Sequence, residues 1–99
     1  MYAKIPSVQR KAIYRRDGFQ CAVCGTHRYL QIHHYIHRGQ GGSNSPMNLI
    51  TLCSDCHAMA HGINVIGHPD LSQEDMEQHI VEYLADMYAP NWYPYEKGR

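Results

Sequence analysis

Two short stretches near the middle of the chain have the hydrophobic patterns of β-strands. Residues 29–33 alternate between apolar and polar side chains, which is typical of a strand with one buried face. Residues 38–46 are rich in glycine and serine and predict a loop, and the mostly apolar residues 48–52 predict a returning strand. We therefore expect a β-hairpin in which Leu49 or Ile50 enters the core.

The first predicted helix covers residues 7–17. Ser7 is a candidate N-cap, because its hydroxyl can accept a hydrogen bond from the first turn, and Gly18 is the expected stop. The basic residues of this helix should lie on its solvent side. The side chains expected to face the core are Val8, Ala12 and Ile13.

Two further helices are predicted after the hairpin. A short one follows Cys53, with Ser54 or Asp55 as its cap, and ends at Gly62. A longer one covers residues 72–88 and opens with a capping box. Its core-facing side chains should be Met76, Ile80, Leu84 and Met87, bordered by Tyr83 and Tyr88.

The tail, residues 89–99, interleaves aromatic residues with prolines and is predicted to be an extended arm. The sequence leaves open whether this arm packs on the body, contacts a second subunit or touches nucleic acid. No boundary divides the chain, so we expect a single domain over residues 1–99 with its core at about residues 10–62.

The length of the chain adds the expectation of a stabilising cross-link or metal. A chain of 99 residues buries a smaller share of its surface than a larger domain does.

The N-terminus lacks the apolar segment of a signal peptide, and no run approaches the roughly 20 apolar residues of a membrane span. We expect an intracellular, cytoplasmic protein with no membrane partner, in a setting where thiols stay reduced.

The net charge of zero hides an asymmetry between the two parts of the chain. Residues 1–42 hold seven Lys or Arg against one acid, a charge of +6, and the remainder holds two against eight acids, a charge of −6. A basic half that carries His33 and His34, with an acidic half that carries a helix, is compatible with a polyanion approaching one face. Two ordinary solvated faces are the alternative explanation.

The four cysteines form two CxxC pairs separated by 28 residues. Under reducing conditions such pairs favour a metal over disulfides, and Zn²⁺ takes four thiolates in a closed tetrahedral site. Two disulfides and an iron–sulfur cluster are the competing interpretations. We predict structural zinc at Cys21, Cys24, Cys53 and Cys56.

Four histidines have the placement expected of reactive groups. His57 and His61 are four residues apart on a predicted helix and share one face, which is a chelating geometry. His33 and His34 end a predicted strand, so their side chains should point to opposite sides and have different roles. Phosphodiester hydrolysis needs an activated water and neutralisation of developing charge, which a neutral histidine and an open-site metal ion can provide.

The order of these residues resembles that of the HNH endonuclease family, over about residues 10–62. The resemblance implies an α+β fold: a small ββα-metal, treble-clef-like domain stapled by zinc, here with an N-terminal and a C-terminal helix. It also implies metal-dependent hydrolysis of DNA, by nicking or by double-strand cutting. The residues that carry it are His33, His34, Gly41, Gly42, Asn48, Leu49 and the segment from Leu52 to His57.

Carried over by position, the resemblance implies that His34 is the general base and that His57 binds a catalytic divalent ion. Asn48 would hydrogen-bond within the loop and hold His34 in orientation. Many family members have Asp where this chain has His33, whereas His33, His57 and His61 together resemble the three-histidine site of colicin-type DNases. An all-imidazole site favours Mn²⁺, Ni²⁺, Co²⁺ or Zn²⁺ over the oxygen-preferring Mg²⁺.

Phosphate contacts are expected from cationic side chains, which bind DNA without base specificity. The candidates are Arg15, Arg16, His37 and Arg38. A homodimer is one route to a double-strand break, and a phage or a mobile element is one source that suits such an enzyme. The alternative function is a non-catalytic zinc-knuckle DNA-binding or adaptor module.

Overall fold

The computed structural model describes residues 5–63, 65 and 72–95, apart from the Arg38 side chain. Within these ranges it contains two antiparallel strands and three α-helices, so the predicted α+β class is confirmed. Most of the segment between the second and third predicted helices and residues 96–99 of the tail lie outside the described residues. The elements are α1 (Ser7–Arg16), β1 (Leu30–His34), β2 (Leu49–Cys53), α2 (Ser54–Ala60) and α3 (Gln73–Tyr88).

The predicted hairpin is present, with each strand displaced by one residue along the chain. β1 pairs antiparallel with β2 and places His33 opposite Ile50 and His34 opposite Leu49. Leu49 and Ile50 are both fully buried, because β2 contacts α1 as well as α2. The two 3-10 turns Arg38–Gln40 and Pro46–Asn48 lie in the connecting loop.

The long helix α3 packs on the core through a stripe of residues four positions apart. Met76, Ile80 and Leu84 are fully buried, as expected, whereas Met87 is 40% exposed and the expectation for it was wrong. Steps of four from Leu84 lead to Tyr88, which is half-buried and packs against the core. The predicted capping box is present at Ser72, whose hydroxyl accepts a hydrogen bond from the Asp75 backbone.

The expectations for the inner face of α1 were largely wrong. Val8 is 79% exposed and Ala12 is also exposed, leaving Ile13 as the buried side chain of this helix. Ser7 is the first helical residue, and Pro6 precedes it without a side-chain cap. The reason is that α1 docks mainly through its C-terminal end, where Ile13 is buried and Asp17 bonds to β2.

The start of α2 also differs from the expectation. Its N-cap is Cys53, whose Sγ accepts a hydrogen bond from the Cys56 backbone N–H at 3.4 Å, rather than Ser54 or Asp55. The geometry that brings two thiols together therefore also begins the helix. After α2, Gly62 has a φ of +81°, a left-handed conformation that favours glycine and turns the chain away.

Arg16 and Asp17 join α1 to the rest of the domain. The guanidinium pairs with Asp17 at 2.8 Å and donates to the Leu49 carbonyl at 2.7 Å. The buried Asp17 carboxylate also accepts bonds from the Thr51 N–H at 2.9 Å and the Tyr83 hydroxyl at 2.7 Å. Burial raises the pKa of Tyr83, and the bond to Asp17 adds to this effect, so the phenol remains a donor.

Replacing Asp17 by alanine is expected to lower the free energy of unfolding by about 3–5 kcal/mol, because it leaves a largely buried guanidinium without its charge partner. Urea denaturation of the zinc-loaded protein measures the change. Asp86→Ala is the matched control, since Asp86 is an exposed carboxylate on α3. A loss no larger than that of the control would contradict a structural role for the Arg16–Asp17 pair.

The described part of the tail packs on the hairpin loop. Gly42 and Tyr95 form an antiparallel bridge, and the Ser43 N–H donates to the Pro94 carbonyl at 3.2 Å. The Trp92 indole N–H donates to the Met47 carbonyl at 2.8 Å. Residues 92–95 therefore form a strap over the loop.

Among the described residues, no helix is both long enough and apolar enough to cross a membrane.

Candidate metal centres

The four cysteines predicted to bind zinc come together at one end of the hairpin. Their Sγ atoms all lie within 4.8 Å of one another. A zinc ion bound to four thiolates at about 2.3 Å would separate the sulfurs by about 3.8 Å. The Cys24 and Cys53 sulfurs are 3.7 Å apart. The cluster therefore has the dimensions of a tetrahedral zinc–thiolate site.

The two CxxC turns present their sulfurs in the same way. The Cys24 N–H donates to the Cys21 sulfur at 3.5 Å, and the Cys56 N–H donates to the Cys53 sulfur at 3.4 Å. Such bonds stabilise thiolates, the form that binds metal. The hydrogen bond from the Cys56 thiol, opposed by burial, lowers the pKa of Cys21. The donor set thus fits zinc, with no position left for water.

A second cluster lies where α2 crosses the hairpin. Ring nitrogens of His33, His57 and His61 lie within 4.8 Å of one another. The Nε2 atoms of His57 and His61 are 3.1 Å apart, close enough to share one ion. His33 is buried on β1, His57 is half-buried and His61 is exposed, so the cluster opens to solvent.

The protonation of this cluster suits metal binding. Burial, reinforced by the neighbouring imidazoles, lowers the pKa of His33 to about 3, and burial also lowers the pKa of His57. Neutral imidazoles keep the lone pair that a metal requires. Three nitrogen ligands leave a fourth position for water or substrate, which is the pattern of catalytic rather than structural zinc sites.

Gln31 supports this cluster and was not identified from the sequence. Its Oε1 atom is hydrogen-bonded to Nδ1 of His57. An amide oxygen can only accept, so Nδ1 carries the proton and Nε2 is left with its lone pair on the side of His61. Partners of this kind fix the tautomer of ligating histidines. The strand pattern assigned Gln31 only to the polar face, so it carried no further signal.

His34 lies outside the three-histidine cluster, as the alternation of the strand predicts. Its Nε2 atom is 2.8 Å from Oδ1 of Asn44 in the connecting loop. The fully buried Asn48 contacts the loop instead: its Oδ1 accepts from the Ile36 N–H at 2.7 Å, and its Nδ2 donates to the Ile36 and Ser43 carbonyls. Asn48 thus closes the loop, and Asn44 contacts the histidine ring.

Gly42 is required by packing within the same loop. A Cβ atom at this position would lie 1.8 Å from the backbone oxygen of Ile36. The Gly42 N–H also donates to the His37 carbonyl at 3.0 Å. Gly42 therefore lies close against the protein's own backbone, whereas Gly41, with a φ of +91°, provides the turn.

Gly42→Ala is expected to displace the loop and reduce stability by about 1–3 kcal/mol, the range for overpacking. Gly25→Ala is the comparison: a Cβ there meets nothing within 4 Å, so this variant reports only the cost of its left-handed φ of +82°, a conformation that Gly42 does not adopt. Thermal unfolding of the zinc-loaded variants measures the difference. A Gly42→Ala protein that is as stable as the control would contradict the close packing of this loop.

Residues 21–62 match the family HNH endonuclease, and this segment contains both metal-ligand clusters together with His34 and Asn48. The chain belongs to the HNH endonuclease family. It is also similar to Anaredoxin from Nostoc sp., with 35% identity over 65 residues that span 62% of this chain and 86% of Anaredoxin. No solved structure matches the chain significantly.

The cationic residues expected to contact DNA have different environments in this HNH domain. Arg15 and His37 are exposed, and the His37 ring lies 5.5 Å from that of His61. Arg16 uses its guanidinium for internal bonds to Asp17, Leu49 and other groups, so its donors are satisfied within the domain. The Arg38 side chain lies outside the described residues.

Proposed function

We propose that this chain is a metal-dependent HNH endonuclease that hydrolyses DNA phosphodiester bonds. The observation that carries the proposal is the pairing of two unlike donor sets in one small unit. The four cysteine sulfurs would fill every position of a zinc ion, whereas the imidazoles of His33, His57 and His61 would leave one position open. His34 follows His33 directly on β1 and is outside both sets.

In this proposal, His34 is the general base. Its neutral ring takes a proton from the attacking water as the water oxygen bonds to phosphorus. The bond from phosphorus to the 3′ oxygen breaks, and that oxygen takes a proton from solvent, which leaves 5′-phosphate and 3′-hydroxyl ends. His33, His57 and His61 would hold a divalent ion, and that ion would supply charge neutralisation at the phosphoryl group.

The ligand set determines which ion is expected. Three imidazole nitrogens suit Mn²⁺, Ni²⁺, Co²⁺ or Zn²⁺, whereas Mg²⁺ prefers oxygen ligands in octahedral geometry. No carboxylate joins this cluster among the described residues. We therefore propose a transition-metal ion at this centre and zinc at the cysteines.

DNA is the proposed substrate because His33 and His34 lie in the basic part of the chain, whereas His57 and His61 lie in the acidic part. Residues 1–42 carry a charge of +6, and Arg15 and His37 are exposed there. These side chains, with Arg38, are proposed to contact backbone phosphates. Arg16 is left out of this interface because its donors are occupied within the domain.

The test is nicking of supercoiled plasmid by protein that retains its structural zinc. After mild chelation, each of Mn²⁺, Ni²⁺, Zn²⁺ and Mg²⁺ is added separately. We expect cleavage with at least one transition-metal ion and the weakest cleavage with Mg²⁺. Cleavage that persists in excess chelator, or that is best with Mg²⁺, would contradict the proposed three-histidine centre.

A non-catalytic DNA-binding or adaptor module is the competing function. The name of the similar Nostoc protein, Anaredoxin, does not describe a nuclease, which keeps this alternative relevant. The two functions separate in the same experiment. DNA binding without cleavage in every ion, unchanged by His57→Ala, would favour the module.

One such centre cuts one strand. We propose that a single chain nicks DNA and that a double-strand break needs two chains or two successive nicks. Cleavage kinetics distinguish these cases, since nicking by a monomer is first order in protein and precedes any linear product.

A further inference from the structure

The ring of His34 is oriented by a side chain that the family motif does not include. Nε2 of His34 lies 2.8 Å from Oδ1 of Asn44. A carbonyl oxygen can only accept a hydrogen bond, so Nε2 must carry the proton. A neutral imidazole has one N–H, and Nδ1 is therefore the nitrogen with the free lone pair. The contact thus selects one of the two tautomers of His34.

The Asn44 side chain is well placed to do this because its backbone is fixed from both directions. Its carbonyl accepts a hydrogen bond from the Gln9 side chain on α1. On one side, the Ser43 carbonyl accepts from Asn48 at 2.8 Å and the Ser43 N–H donates to the tail at Pro94. On the other side, Ser45 caps the following 3-10 turn. A side chain carried by such a loop is held before substrate arrives.

The two asparagines of the loop therefore have separate roles. The amide of Asn48 makes three bonds, all to the backbone of Ile36 and Ser43. These bonds hold the ends of the loop together. The amide of Asn44 bonds to the imidazole of His34. Asn48 acts on His34 only through the loop, whereas Asn44 touches the ring itself.

We propose that Asn44 is the positioning residue of the general base, holding His34 with its proton on Nε2 so that Nδ1 receives the proton of the attacking water. The inference rests on the proposed nuclease function. Without the amide, His34 can rotate and can populate both tautomers. The fraction of rings with a basic nitrogen directed at the water then falls, while binding of DNA through phosphate contacts is unaffected.

Asn44→Leu removes the acceptor while keeping a side chain of similar size. We expect kcat to fall by about 10–100-fold, the usual effect of losing a partner that orients a reactive or ligating histidine. KM should stay within about twofold, since the phosphate contacts that bind DNA remain. Asn44→Asp retains an acceptor oxygen at the same place, so this variant should keep most of the wild-type kcat.

The control for loss of an amide is Gln78→Leu, which removes an exposed hydrogen bond to Glu82 on α3. This variant should cleave like wild type. Zinc content and thermal unfolding are measured for every variant. An Asn44→Leu protein with wild-type kcat, or one in which Asn44→Asp is as impaired as Asn44→Leu, would overturn the proposal.

A second measurement does not depend on cleavage. Ring ¹⁵N chemical shifts of histidine-labelled, zinc-loaded protein report which nitrogen carries the proton, and a His34→Gln sample identifies the His34 signals. We expect the Nε2–H tautomer in wild type and in Asn44→Asp, and a mixture in Asn44→Leu. An Nδ1–H tautomer in wild type would overturn the inference. If wild type fails to cleave DNA with every ion tested, the nuclease proposal fails. The chemical shifts alone then decide whether Asn44 sets the tautomer of His34.

Discussion

Replacing Cys56 by serine is expected to leave most of the chain unfolded at room temperature. Cys56 is 1% exposed, and its sulfur belongs to the four-cysteine cluster. Structural zinc contributes an apparent binding free energy of about 10–16 kcal/mol in small zinc domains, which is comparable to the entire net stability of about 5–15 kcal/mol of an ordinary domain. Loss of one thiolate therefore removes more stabilisation than the remaining core supplies.

Zinc content, circular dichroism and a thermal melt of the reduced protein test this expectation. Wild type should contain one tightly held zinc and unfold cooperatively. Ser54→Ala is the matched control, because Ser54 lies in the same turn and offers no ligand. A Cys56→Ser protein that lacks zinc and still unfolds cooperatively at the wild-type temperature would show that the cluster is not the source of stability.

The second large effect is expected at His34. His34→Ala should lower the rate of DNA cleavage by about 10²–10⁴-fold, the usual contribution of a positioned general base. The ring is half-buried at the end of β1 and is not part of either metal-ligand set. The variant should therefore retain its fold, its zinc and its affinity for the second ion.

His79→Ala provides the comparison for His34→Ala, since His79 is exposed on α3 and belongs to neither cluster. Plasmid nicking under single-turnover conditions measures the rate, and calorimetry measures binding of the divalent ion. Equal rates for the two variants would remove the assignment of His34 as the base. A large loss of ion affinity in His34→Ala would instead make it a ligand.

The two clusters of candidate metal ligands could be predicted because the spacing within each is local. The CxxC turn brings two sulfurs to one point whatever surrounds it, and a helix places His57 and His61 on one face. On the hairpin, alternation separates His33 from His34, because successive side chains of a strand point to opposite faces. Each of these relations is set by the backbone geometry of one element.

The packing of the helices was harder to predict. Val8 and Ala12 have apolar side chains but face solvent, because α1 contacts the body mainly by its C-terminal end. Met87 falls at helical spacing and is exposed, because the buried stripe of α3 continues at Tyr88. The periodicity of apolar residues identifies the apolar face of a helix. How much of that face is buried depends on which neighbouring elements pack against it.

The contacts of polar side chains were harder still to predict from the sequence. Arg16 was grouped with the DNA-binding cations because it is a charged residue on a short basic helix. Its guanidinium pairs with the carboxylate of the adjacent residue, Asp17. It also donates to the carbonyl of Leu49, which is 33 residues further along the chain. A side chain's charge is visible in the sequence, but its partners depend on how the chain folds back.

The sequence alone therefore determined the family, the α+β class and the two sets of candidate metal ligands, because each rests on residue type at short spacing. Only the tertiary structure revealed that Gln31 contacts His57, that Asn44 rather than Asn48 contacts His34, and that the tail covers the loop. These contacts join residues that no repeat or periodicity relates. Hydrogen bonds form between atoms about 3 Å apart in space, and for distant residues that separation is set by the folding of the whole chain.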